Sequence, residues 1–337
     1  MLVPKKAKEK VAQVQPAPVN LNINDFRVDL TNDNVTQQIC ITIDQKTILT
    51  YGSLMVLTGK PKARKTTFLH AFLAAGLLND SIWNIRVTMT KEQPEICLID
   101  TEQSYFDLFQ SLKRLAAIVR RPLADIPNFS VYTARAGDVS DICQLIEQIL
   151  THNPKIGLLA IDGLLDLVND INDVRESKAA ITFIKKICDK HNVAIIGIIH
   201  QNKGTNFSLG HLGAFASRFA QSEFSITKNE DDNTSKLESI YLRSADKVND
   251  IIIDFDQTRN VYDVVSNINK PTKFIDLDVI KKIFEGRVAL TYKDLISQTI
   301  IQTGQTRYHV EKSIIPVWYA ENLIHKVGNL IQIKSPF

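Results

Sequence analysis

Along the first two thirds of the chain, short runs of consecutive apolar residues alternate with longer stretches whose apolar residues recur every three or four positions. Residues 53–57 (SLMVL) form one such run, and 66–78 carry helical spacing. The pairing repeats: a strand at 96–99 with a helix to about residue 119, a strand at 129–132 with a helix to 150, and a strand at 157–161 with a helix at 174–190. A final run covers 193–199. Runs with no polar alternation are buried on both faces, which predicts a mostly parallel sheet covered by helices on each side.

After residue 219 the period shortens. Segments 223–227, 237–243 and 251–255 are separated by polar turns such as NEDDNTS, and they predict antiparallel strands extending the sheet. Residues 1–20, rich in Lys, Ala, Pro and Gln, lack periodic apolar positions and predict a flexible basic tail. The polar SNINKPT stretch at 266–272 reads as a linker, so the expected organisation is a main domain at 21–265 and a small one at 273–337.

Composition narrows the class without altering this outline. With 337 residues the chain suits one large domain plus a smaller one, and 44% hydrophobic with 23% charged residues excludes wholesale disorder. No apolar run reaches the roughly 18 residues that cross a bilayer. The lysine-rich start has no apolar segment after it, so no secretory signal is read and a cytoplasmic location without membrane contact is expected. Cys40, Cys97, Cys143 and Cys188 are too dispersed for a metal site and predict buried, reduced thiols. Net charge is +3, distributed as +3 over residues 1–20 (four Lys, one Glu) and +4 over 267–337 (ten Lys and Arg, six Asp and Glu), which leaves −4 between. Two basic ends fit contact with an anionic polymer, although solvated surface charge gives the same count.

The strongest chemical signal is the segment Gly59, Lys60, Pro61, Lys62, Ala63, Arg64, Lys65, Thr66 and Thr67, lying between a strand and a helix as a phosphate-binding loop requires. Backbone amides and the helix N-terminus would cradle phosphates, Lys65 would neutralise the β and γ oxygens, and the Thr66 hydroxyl would hold Mg²⁺. The usual pattern has glycine immediately before the lysine, and here that position is Arg64. If the loop needs a positive φ there, a non-glycine residue costs about 1–2 kcal/mol. Asp162, closing the 157–161 strand, has the form of the carboxylate that orders the metal's water shell. Glu102 follows the 96–99 strand, where it would polarise an attacking water; a carboxylate stabilising a helix start is the competing reading. His200 and Gln201 end the last apolar strand at the same crevice, ahead of the glycine-rich KGTNFSLGHLGAF segment, which is expected to move.

In this order and context, the motifs GKPKARKTT, LIDTE, LLAIDGLLDL and IIGIIHQNKG resemble those of the RecA/DnaB-like ATPases, especially the RepA-type hexameric helicases and related ATPases of plasmids and mobilisable elements. The resemblance spans about residues 40–260. It implies an α/β RecA-like P-loop NTPase fold, ATP and Mg²⁺ as ligands, Glu102 as catalytic base, Asp162 on the metal and His200 or Gln201 as sensor. It further implies subunits in a ring, hexameric in the helicases, with ATP at the interfaces. Arg243, ending the strand LESIYLR, matches the place of a finger offered to the neighbouring subunit, with Lys247 as a helper.

The C-terminal segment is readable independently. A helix at 291–301 starting on a Thr cap, a break at Gly304, a second helical stretch at 306–322 and two short strands around Gly328-Asn329 resemble a winged helix-turn-helix. DNA contacts are then expected from Arg307, His309 and Lys312 on the second helix and from Lys326 and Lys334 on the wing, with Lys203 added from the main domain. Pro316 interrupts the second helix. Winged helices also dock proteins.

The leading expectation is an ATP-hydrolysing, DNA-binding protein acting in replication or mobilisation of a plasmid or mobile element, with a ring helicase as its fullest form. The alternative is a DNA-binding regulator whose degenerate site uses nucleotide as a switch, and a third reading is a non-enzymatic adaptor.

Overall fold

The computed structural model describes residues 27–28, 30–31, 36–201, 210–256, 261–265, 277–303, 307, 310–320 and 323–334. The chain divides into two compact units, Met1–Gln37 and Gln38–Phe337, and every element below belongs to the second. The expected tail and the 266–272 linker lie outside the described residues.

The chain opens with β1 (Ile39–Ile43) and β2 (Lys46–Thr50), which join β4 (Ile85–Val87) in a small antiparallel sheet. The main sheet takes in β3 (Leu54–Gly59), β5 (Glu95–Asp100), β6 (Phe129–Thr133), β7 (Ile156–Asp162), β8 (Ala194–His200), β9 (Ser222–Lys228), β10 (Ser235–Leu242), β11 (Ile251–Asp256) and β12 (Val261–Val264). Its order is β12-β11-β10-β9-β3-β8-β7-β5-β6. The block from β9 to β6 is parallel throughout, and β10, β11 and β12 continue it antiparallel. The expected antiparallel extension is present from β10 onward, but the 223–227 segment, expected to be antiparallel, is β9 and runs parallel to β3, joining the doubly covered block before the hairpins begin.

Helices α1 (Lys65–Leu78), α2 (Tyr105–Val119), α3 (Val139–His152), α4 (Val174–His191) and α5 (Gly210–Phe219) cover the sheet. Strand residues alternate between two cores. On β3, Met55 and Leu57 pack with Phe68 and Phe72 of α1, while Leu54 and Val56 pack with Ile142 of α3 and Ile184 of α4. This two-sided burial explains the unbroken apolar runs. α5 occupies the second half of the segment expected to move; residues 202–209 lie outside the described residues.

Near the C-terminus, a separate apolar core gathers Ile280, Leu295, Trp318, Ile324 and Ile331. Its elements run α6 (Leu277–Phe284), β13 (Leu290–Thr291), α7 (Tyr292–Thr303), a π turn at Val310–Ile314 leading into α8 (Ile315–Ala320), then β14 (Ile324–Val327) and β15 (Leu330–Ile333). The strands pair in the order β13-β15-β14. The Thr291 hydroxyl accepts from the Asp294 amide at 3.2 Å, so the expected cap is in place. Pro316 sits at the junction of the π turn and α8, where a missing N–H interrupts regular helix.

Candidate functional site

Four parallel strands end at one edge of the sheet, with Gly59 opposite His200 and Asp100 opposite Asp162. Carboxyl ends of parallel strands line the crevice in which α/β proteins bind ligands. Gly59 is required by packing as well as by the loop, since a Cβ there would lie 2.6 Å from the Ile226 carbonyl oxygen. The loop then turns through Lys62 (φ 65°) and Arg64 (φ 73°) into α1, whose N-terminus has no side-chain cap. The first amides of a helix lack intrahelical acceptors and are free to meet an anion.

Lys65 is buried, and its Nζ donates to the carbonyls of Gly59 (3.0 Å) and Lys60 (3.1 Å). It also lies 3.0 Å from His200 Nδ1. An ammonium group can only donate, so Nδ1 is the acceptor and the ring proton sits on Nε2. Nε2 in turn lies 3.0 and 3.1 Å from the two Glu102 carboxylate oxygens, to which it donates. Lys65, His200 and Glu102 therefore form one directional chain. Burial lowers the Lys65 pKa against the pull of Glu102 and Asp162. The His200 hydrogen bond holds the Glu102 carboxyl below its usual range, against the opposing effect of burial.

Thr66 Oγ1 donates to Asp162 Oδ2 at 3.0 Å. Burial, with Asp100 and Glu102 close by, pushes the Asp162 carboxyl up to about 7. A buried carboxyl facing two others is short of positive charge. One hydroxyl beside one carboxylate suits Mg²⁺, which keeps several waters and takes phosphate oxygens as further ligands. The residues present therefore fit that ion.

Two supports were not singled out from sequence. Asp100 accepts from the amides of Glu102 (3.2 Å) and Gln103 (2.7 Å), which fixes the turn carrying Glu102. The Thr101 amide donates to the Asp162 carbonyl at 3.1 Å and its hydroxyl to Asp166 Oδ2 at 2.5 Å, tying the ends of β5 and β7 together. The Asp-Gly pair after an apolar strand was the available signal for this clamp.

The remaining expected residues are placed elsewhere. Gln201 is buried, with its amide donating to Thr58 and Ser225 hydroxyls at 3.0 Å each, and takes no part in the Lys65–Glu102 chain. Arg243 follows Leu242, which pairs with Ser222 at the opposite edge of the sheet, and its Nη2 donates to the Arg218 carbonyl at 3.2 Å. It does not reach this chain's own site. Arg307 is exposed and paired with Glu311 at 2.8 Å, and Lys326 and Lys334 are exposed on and beside the β14–β15 hairpin. Lys203 and His309 lie outside the described residues, and of Lys312 only the backbone is described.

Arg64, the departure from the usual pattern, turns away from the phosphate crevice. Its guanidinium bonds the carbonyl and side-chain oxygens of Asn233 and lies 4.7 Å from the centre of the Tyr262 ring. The concave side of the loop is left to Lys65. Residues 44–206 match the family model of the AAA domain. That stretch runs from the turn after β1 through the phosphate loop, both acidic strand ends and the close of β8. The match supports a P-loop ATPase-type domain and with it nucleotide binding, usually with Mg²⁺. The antiparallel extension and the C-terminal elements lie beyond the matched residues. No curated protein matches the chain. Among the described residues no helix is long and apolar enough to cross a membrane.

Proposed function

We propose that the protein hydrolyses ATP and couples hydrolysis to work on DNA in the replication or mobilisation of a plasmid or mobile element, as a ring in its fullest form. The observation that carries the catalytic part is the continuous chain from Lys65 through His200 to Glu102 beside the Thr66–Asp162 pair. Thr66 and Asp162 would hold Mg²⁺, which supplies charge neutralisation on the phosphate oxygens when bound.

Lys65 exchanges its contacts with carbonyl and imidazole acceptors for β and γ phosphate oxygens. Glu102 accepts a proton from water as the water oxygen bonds to the γ phosphorus, and the bond from that phosphorus to the β,γ-bridging oxygen breaks with its electron pair leaving on ADP. His200 touches both Lys65 and Glu102, so loss of the γ phosphate changes what it can bond. That is the action of a sensor, and His200 suits it better than Gln201, whose amide is committed to Thr58 and Ser225.

The DNA-binding part rests on the C-terminal order helix, strand, helix, helix, strand, strand with a three-stranded sheet, which fits a winged helix-turn-helix over 273–337 after a linker at 266–272. Exposed Lys326 and Lys334 suit phosphate contacts, with Arg307, His309, Lys312 and Lys203 as further candidates. Arg243 is exposed and stands apart from its own site, as a cation offered to a neighbouring subunit's γ phosphate must. The switch reading drew its support from Arg64, and that support weakens because the side chain leaves the crevice open.

Steady-state phosphate release with and without single-stranded DNA tests the proposal. Glu102→Gln is expected to lower kcat at least about a hundredfold while ATP still binds, and DNA is expected to stimulate the unaltered chain. Binding without turnover in the unaltered, folded chain would establish the switch instead.

A further inference from the structure

The left-handed turn before Lys65 is ordinarily a glycine's work, because a Cβ crowds the backbone in this region. Here Arg64 holds φ 73° and ψ 33°. A non-glycine residue stays in such a conformation when its surroundings over-determine it. The surroundings of Arg64 do so from three directions. Nη1 and Nη2 divide between the carbonyl and the Oδ1 of Asn233, a single residue in the turn between β9 and β10. Nη1 also reaches Ser235 Oγ at 3.3 Å, at the buried start of β10. The guanidinium carbon lies over the ring of Tyr262 on β12, 4.7 Å from its centre. A planar fork with fixed donor directions, backed by an aromatic ring, sets the position of its own Cα far more tightly than a flexible ammonium does. None of these partners belongs to the Lys65, His200 and Glu102 cluster.

We infer that Arg64 is a positioning residue, whose side chain, anchored on Asn233, Ser235 and Tyr262 of the antiparallel extension, holds the phosphate loop in its binding shape. The inference rests on the nucleotide-binding reading and deepens it. A glycine gives the loop this shape by being free to adopt it, whereas this chain holds it by an external tether. Nucleotide affinity then depends on Asn233 and Ser235, 169 and 171 positions downstream, and on Tyr262 farther still, all beyond the stretch that matches the AAA domain. Whatever shifts the β9–β10 turn or β12 also shifts the amides that would meet the phosphates.

The test is a background comparison on the full chain, reading KM for ATP and kcat together. Arg64→Ala keeps the Cβ and loses the tether, and KM is expected to rise about tenfold with kcat within about twofold. The loop amides grip substrate and transition state alike, so their loss appears in KM. Arg64→Lys keeps the charge without the fork and is expected to lose nearly as much. Asn233→Gly, which tolerates the positive φ of 59° at that position, and Tyr262→Leu should each raise KM several-fold. In an Arg64→Gly background both should be silent, because there the loop no longer depends on the tether.

Equal effects of Asn233→Gly and Tyr262→Leu in both backgrounds, or full rescue by Arg64→Lys, would overturn the inference. If Arg64→Ala does not fold, the two distal substitutions carry the comparison alone. Failure of the unaltered chain to bind ATP would instead refute the nucleotide reading, a result that equilibrium binding separates from absent coupling.

Discussion

His70 makes the sharpest single-residue demand on the core. It lies on α1, one helical turn beyond the phosphate loop, almost fully buried, with Ser111 Oγ 3.5 Å from Nε2. Burial, reinforced by the charge of Arg114, pushes its pKa down to about 3. An unfolded histidine takes up a proton near 6.5, so below that pH the unfolded chain binds a proton that the folded chain refuses. The contribution is therefore complete above about 6.5 and is lost progressively as pH falls toward 3. Between pH 7 and pH 5 this one group should remove about 2 kcal/mol of stability. Denaturant unfolding at the two pH values checks it: His70→Leu should lose about that much less than the unaltered chain, and parallel losses would refute it. The same residue shows the limit of sequence reading, because a histidine inside an apolar helical stretch carries no sign of which way it faces.

At the scale of elements, the alternation of apolar runs and helical spacings located five of the six parallel strands to within about two residues, since strands buried on both faces leave little room for polar residues; the sixth, β9, coincides with the 223–227 segment expected to be antiparallel and instead runs parallel to β3. The small sheet of β1, β2 and β4 and the short β13 were not legible: these strands are two to five residues long, and Thr42, Lys46, Thr47 and Arg86 interrupt their apolar runs, so too few positions remain for a period to register. Helix α6 follows a stretch read as linker and went unassigned for the same reason of brevity. At the site, the phosphate loop and both acidic strand ends were legible because each needs a particular residue type at a strand end. The outward course of Arg64 was not, because its partners lie on strands distant in sequence.

The clamp between β5 and β7 yields a prediction at this scale. Gly163 has φ 118°, and a Cβ there would sit 2.1 Å from Thr101 Oγ1. Gly163→Ala should cost about 2–3 kcal/mol, read as a lower urea midpoint. It should also impair turnover more than ATP binding, since it spreads Glu102 and Asp162 without touching the loop amides. An unchanged midpoint would show that the turn relaxes freely.

Over the whole molecule, a sheet edge collects residues from four strands and one helix N-terminus around a single cradle, and the antiparallel extension reaches back to hold the loop that forms it. The coupling of hydrolysis to work on DNA and the assembly of a ring around ATP both depend on that cradle taking a triphosphate. Equilibrium binding of ATP with Mg²⁺ to the full chain, by calorimetry, measures this directly. The unaltered chain should bind at one site per chain, and Lys65→Ala, shown to be folded, should lose at least about a hundredfold in affinity. Equal affinity of the two proteins for ATP, or no binding by the unaltered chain, would contradict the account.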